Sequence, residues 1–184
     1  MPKNIGSYKL SDKIIKLMLD KIDDMQKTKK ETGFIICKNA NNELTEGIQC
    51  IGNRCYTPQI LRPRCKNPKD NVVGLFHTHP KGNDISGGDF TAACDLDIFC
   101  LGTKGRYDRR INCYLRKSNK DDCLKDAVKI NKERKELEEM NTTLESMEPQ
   151  TDNELIYIFN EQIKRYYLNF RDVKKKHFDK TLIK

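Results

Sequence analysis

The sequence predicts an α/β or α+β protein, and three observations predict it. Short apolar runs of the kind that form buried strands recur along the chain, GFIIC and VVGLFH among them. Amphipathic segments with helical spacing lie between and after these runs. The gaps are short, so strands and helices alternate irregularly. At 184 residues the chain has the length of one domain with room for an appendage, and it is long enough to bury a core.

The elements follow in order. Leu10 to Met25 reads as a helix, with Ile14, Ile15, Met18, Leu19 and Ile22 at helical spacing and Ser11 as its N-cap. Thr32 to Cys37, preceded by Glu31, reads as a buried strand, and Lys38 to Asn42 as a turn. A second strand is expected over Ile48 to Tyr56. Pro58, Pro63 and Pro68 then make Thr57 to Asp70 a loop, because proline cannot donate to a central ladder. Val72 to His77 is another buried strand, ending in His-Thr-His-Pro. A Gly-, Asn- and Ser-rich loop follows over Lys81 to Gly88, then a short helix at Phe90 to Asp95. Strands are expected at Ile98 to Gly102 and Ile111 to Arg116, with a turn at Tyr107 to Arg110. Beyond Ser118, Asp121 to Glu139 reads as a solvated or partner-seeking helix. Met140 to Asp152, with Pro149, reads as a break. Asn153 to Lys176 reads as a second helix. This divides the chain into a domain over residues 1–118 and a helical extension over 119–184.

Composition narrows the function less. Hydrophobic residues make up 36% and charged residues 34%, so part of the chain is solvated helix rather than core. The net charge of +8 favours nucleic acid, an anionic membrane or an acidic protein as partner, but the lysines are spread along the chain. No run approaches the roughly 18 apolar residues that span a bilayer, and Met1 to Lys13 has no apolar h-region. The expectation is therefore an intracellular, cytoplasmic protein that does not enter membranes. Eight cysteines admit three explanations: buried thiols, a second metal site, or disulfides in an intracellular hyperthermophile protein. None of their spacings is a CxxC pair, which argues against a second zinc site.

The informative segment is His77-Thr78-His79-Pro80, then five residues, then Ser86-Gly87-Gly88-Asp89. Two imidazoles at i and i+2 on a strand point to one face and can reach one ion. An Asp at the start of the following helix can turn back to join them. Two His and one carboxylate leave a tetrahedral position open for water, the arrangement of a catalytic zinc site. Each piece also has a plain structural reading: His-x-His can be satisfied core or surface, and Ser-x-x-Asp is an ordinary helix N-cap with a first-turn acid. Their joint occurrence, in a chain with three histidines, favours the metal.

These residues, with Glu31 heading the strand Glu-Thr-Gly-Phe-Ile-Ile, resemble the motif of the JAMM/MPN+ zinc metalloproteases. The resemblance covers roughly Glu31 to Arg116. It implies a central mixed β-sheet flanked by helices, related to the cytidine-deaminase architecture, to which this chain adds C-terminal helices. It implies Zn2+ held by His77, His79 and Asp89, Glu31 as general base, and Ser86 as donor to the oxyanion of the tetrahedral intermediate. The implied substrates are ubiquitin-like proteins or their conjugates, cleaved at peptide or isopeptide bonds. One departure stands out: five residues separate Pro80 from Ser86 where the family usually has six, and a tight turn there would offer Asp84 as a substitute ligand.

The rival readings are a related metal hydrolase of DNA repair or a mobile element, acting on nucleic acid, and a non-catalytic MPN-type scaffold. A nucleobase deaminase needs His-x-Glu and Pro-Cys-x-x-Cys, which this chain lacks. A disulfide from Cys50, Cys55 or Cys65 would staple the proline loop. The stripe Ile156, Phe159, Ile163, Tyr166 or Tyr167, Phe170 and Val173 reads as a packing face, against the catalytic core or a second copy in a homodimer. Arg171 to His177 reads as a solvated helix end whose cations suit the C-terminus, with His177 exposed.

Overall fold

A computed structural model describes residues 3–51, 65–81, 84–105, 108–146 and 153–183. It is a mixed α/β structure, as the sequence predicts. The elements are β1 (Lys3–Ile5), β2 (Tyr8–Leu10), α1 (Asp12–Thr28), β3 (Thr32–Lys38), β4 (Leu44–Ile51) and β5 (Asn71–His79). They continue as α2 (Gly87–Asp95), β6 (Ile98–Lys104), β7 (Arg109–Arg116), α3 (Lys120–Ser146), α4 (Asn153–His177) and β8 (Phe178–Ile183). β1 and β2 form a small hairpin. The other strands form one sheet of order β4-β3-β5-β6-β7-β8, in which only β5 and β6 run parallel. Parallel neighbours need a crossover, and α2 supplies it.

Side-chain alternation along the strands divides the core in two. Phe34, Ile36, Phe76, Ile98, Cys100 and Ile111 face α1, which adds Ile14, Met18, Ile22 and Met25. Ile35, Leu75, Phe99 and Tyr114 face α2, α3 and α4 instead. The Ser11 hydroxyl accepts from Ile14 N–H and caps α1, and Lys29 ends that helix in the left-handed conformation. Asn119 Oδ1 accepts from Asp121 N–H at 2.7 Å and starts α3 in the same way.

Several expectations need correction. The second strand begins at Leu44 rather than Ile48, because Asn39 Oδ1 accepts from the N–H groups of Asn41 and Glu43 and tightens the turn. α3 does not break at Met140 but continues to Ser146. Leu137 and Met140 lie against α4 beside Tyr166, and this tertiary partner outweighs the helix's weak apolar pattern. The C-terminal extension is not helical throughout, since β8 pairs with β7 from Ile111↔Ile183 to Arg116↔Phe178. His177 is not exposed but fully buried, its ring nitrogens 2.6 Å from Ser118 Oγ and 2.8 Å from Asp126 Oδ2. The turn from α4 into β8 places it there. The proline loop up to residue 64, with Cys55, and Tyr107 and Pro149 lie outside the described residues.

The cysteines follow the disulfide alternative. Cys37–Cys65, Cys94–Cys123 and Cys100–Cys113 are bonded, and Cys50 is also disulfide-bonded. Cys94–Cys123 ties α2 to α3. No free thiol remains among the described residues, which leaves no cysteine nucleophile there. No helix among them is long and apolar enough to cross a membrane.

Gly33 sits opposite His77 in the β3–β5 register. A Cβ there would lie 2.2 Å from the Phe76 carbonyl oxygen and 2.9 Å from His77 Cβ. Backbone cannot yield as a flexible side chain can. Gly33→Ala should therefore lower stability by roughly 2 kcal/mol, the scale of an overpacked core position. Urea denaturation monitored by circular dichroism measures this, and an unchanged midpoint would show that β3 and β5 stand farther apart than described.

Candidate metal centre

The centre lies at the C-terminal end of β5, where the chain crosses over through α2 to the parallel neighbour β6. Ligands in open α/β sheets characteristically bind at the carboxyl ends of strands. The pleat puts His77 and His79 on the α2 side, while the intervening Thr78 points to the α1 side. Thr78 Oγ1 accepts from Thr32 N–H at 3.0 Å and donates to the Thr32 carbonyl at 3.2 Å. Thr32 Oγ1 in turn donates to the Lys21 carbonyl of α1. This clasp holds the start of β3 against the end of β5.

His77 Nε2 and His79 Nε2 face each other at 2.8 Å. Asp89 reaches both from the first turn of α2, with Oδ1 3.5 Å from His77 Nε2 and Oδ2 3.1 Å from His79 Nε2. The three donor atoms lie within 4.8 Å of one another and could hold a metal ion. Two nitrogens and one carboxylate oxygen suit zinc. Nitrogens bound to one tetrahedral zinc stand about 3.3 Å apart, so the rings need part by only about 0.5 Å. Asp84 is not part of this group. It accepts from Tyr114 Oη and from Lys174 Nζ instead, and these hydrogen bonds outweigh burial and hold its carboxyl below the usual range.

Local chemistry prepares the donors. Burial, followed by the neighbouring His79, pushes the His77 imidazole down to about 4, against the opposing pull of Asp89, so the ring is uncharged near neutrality. Burial would raise the Asp89 carboxyl. The His79 hydrogen bond, the proximity of His77 and the Ser86 hydrogen bond prevail and hold it at about 2. Asp89 is thus an anion oriented by its own surroundings, as metal-binding carboxylates commonly are.

Ser86 has two relations to Asp89. Its Oγ accepts from Asp89 N–H at 3.3 Å, and its backbone N–H donates to Asp89 Oδ2 at 3.0 Å, which together make a capping box. Its hydroxyl also lies 2.5 Å from Asp89 Oδ2 as donor. The plain N-cap reading of Ser-x-x-Asp therefore describes the observed hydrogen bonds, while the same carboxylate reaches both histidines.

Glu31 enters by register. Gly33 pairs with His77, so continuing the antiparallel ladder two places sets Glu31 opposite His79. Burial raises its carboxyl above the usual range, as does the Asp89 carboxylate, against the pull of His79. Its half-buried side chain is thus within electrostatic reach of the centre. The supporting residues Gly33, Thr32 and Tyr114 have no local signature, since each acts across a long sequence separation.

No family model matches the sequence, and no curated protein sequence matches it either. Among solved structures, the chain is similar to the solution structure of a protein from Salinibacter ruber, with 12% sequence identity and a TM-score of 0.39. The match covers 60% of this chain and 83% of that chain. A likeness of this size bears on neither fold nor function.

The three side chains should bind about one zinc per chain, and His77→Ala or Asp89→Ala should each abolish it, as read by metal analysis after dialysis. Zinc retained in both variants would refute the ligand set. The metal-free protein should also be acid-sensitive. Between about 6.5 and about 4 the unfolded His77 binds a proton that the folded one does not, so stability falls as pH drops through that window. The loss is at most about 3 kcal/mol. His77→Gln should flatten this part of the stability–pH curve; an unaltered slope would place the acid sensitivity elsewhere.

Proposed function

We propose that the chain is a zinc-dependent metallopeptidase of the JAMM/MPN+ kind, hydrolysing peptide or isopeptide bonds at the C-termini of ubiquitin-like proteins. The observation that carries this reading is the convergence of His77, His79 and Asp89 at the end of β5, with Glu31 immediately before the neighbouring strand β3 and electrostatically coupled to His79 and Asp89. A structural zinc site would close its coordination with a fourth protein ligand, whereas three ligands and an adjacent carboxylate suit catalysis.

Zinc held by these side chains supplies a Lewis acid that makes water nucleophilic near neutral pH. Glu31 accepts the attacking water's proton at its carboxylate and returns it to the leaving nitrogen. Its raised pKa brings it closer to the working pH of such a base. Ser86 is exposed at the start of α2 and turns its hydroxyl to Asp89. To donate to the oxyanion, that hydroxyl rotates away, while its backbone N–H keeps the carboxylate in place.

The committed Ser86 hydroxyl and the five-residue spacing after Pro80 favour one alternative, an MPN-type scaffold without catalysis. Glu31→Gln separates the two. It should leave zinc content unchanged and reduce cleavage of a panel of ubiquitin-like fusions by a hundredfold or more, in line with the loss of a general base. A chelator should stop the parent enzyme, and added zinc should restore it. Full activity of Glu31→Gln would remove the base assignment, and no cleavage by the zinc-loaded parent would favour the scaffold.

A further inference from the structure

Beside the metal centre, the C-terminal helices form a cleft of about 760 Å³ between α3 and α4, lined at one end by Asp84, Ile85 and Ser86. Its size falls within the roughly 300–1,000 Å³ range of ligand pockets. Gly87 lets α3 close down on the first turn of α2. A Cβ there would lie 2.9 Å from Arg134 Cδ and 3.2 Å from Tyr166 Oη. The cleft wall is apolar and aromatic, with Phe159, Ile163, Tyr166 and Phe170 from α4.

The end at Asp84 and Ser86 is basic. Asp84 and Lys174 line both this cleft and a second recess of about 210 Å³, which also takes Arg171, Lys175 and Lys180. Lys174 Nζ lies 2.5 Å and Lys180 Nζ 3.9 Å from Asp84, while Arg171 Nε lies 3.3 Å from Asp172. Lys175 makes no ion pair among the described residues, so four cations meet two carboxylates. Lys174 and Lys180 also lie against the rings of Phe170 and Tyr114, at 4.5 and 5.3 Å from their centroids. These contacts fix the orientation of both ammonium groups.

We propose that this cleft seats an extended segment of the substrate polypeptide, with apolar side chains on the α4 wall and an acidic residue in the basic recess. The proposal deepens the peptidase reading and rests on it. The charge pattern selects the occupant. One acidic side chain complements the excess of cations over carboxylates in the recess, whereas a nucleic-acid backbone following the same path would also bring phosphates against Glu138. The apolar wall suits side chains.

Binding and cleavage are read separately, so that failure of the cleft and failure of the peptidase reading remain distinguishable. Fluorescein-labelled peptides sharing an apolar segment and differing only in a terminal Glu-Glu, Gln-Gln or Lys-Lys pair are titrated by anisotropy into full-length protein, with zinc and after its removal. The Glu-Glu peptide should bind tightest in both states. Arg171→Glu/Lys175→Glu, changed at exposed positions, should weaken it by about fivefold or more and improve binding of the Lys-Lys peptide. Ile163→Asp should weaken all three peptides. Equal affinity for the three, or no effect of the charge reversal with circular dichroism unchanged, would overturn the proposal. So would a single-stranded oligonucleotide that binds more tightly than any peptide and competes for the cleft. Peptide binding without cleavage by the zinc-loaded protein would uphold the cleft and count against the peptidase reading alone.

Discussion

The pleat of β5 is the constraint on which the rest of the site depends. A strand turns successive side chains to opposite faces, so His77 and His79 share the α2 side while Phe76 and Thr78 occupy the α1 side. Thr78 holds β3 in register through Thr32, and the absence of a side chain at Gly33 lets the strands meet beside His77. That register carries Glu31 to its place opposite His79. A slip of one residue would turn both imidazoles into the α1 core and move Phe76 and Thr78 to the α2 side.

The crossover after β5 brings the third donor. α2 starts with a capping box, and the same Asp89 carboxylate that completes the box reaches both histidines. Local helix chemistry and ligand geometry thus coincide in one side chain. The Cys94–Cys123 disulfide fastens the far end of α2 to α3, and Phe90 packs edge-on against Phe170 and Phe178. The helix carrying Asp89 is therefore held at both ends.

The C-terminal region does more than cover the sheet. β8 extends it beyond β7, and buried His177 links the end of α4 to Ser118 and Asp126 at the start of α3. Because α4 and β8 are anchored together, the basic groups Arg171, Lys174, Lys175 and Lys180 gather on one side, close to Asp84 and Tyr114. Four cations against Asp84 and Asp172 make this a local concentration within a net charge of +8 that is otherwise spread along the chain.

The sequence by itself determined the features that depend on local spacing. The i, i+2 imidazoles, the Ser11 and Ser86 caps, and the buried strands around GFIIC and VVGLFH all follow from periodicity and capping chemistry acting within a few residues. Glu31 was legible only through a motif, because nothing in its neighbourhood separates it from an ordinary strand-edge acid. Only the tertiary structure decided the rest. The engagement of Asp84 by Tyr114 and Lys174, the burial of His177, the persistence of α3 past Met140 and the pairing of β8 join residues far apart in the chain. Such contacts are selected by the packing of whole elements, which no local pattern records, and so the histidines could be read from the chain while the cleft beside them could not.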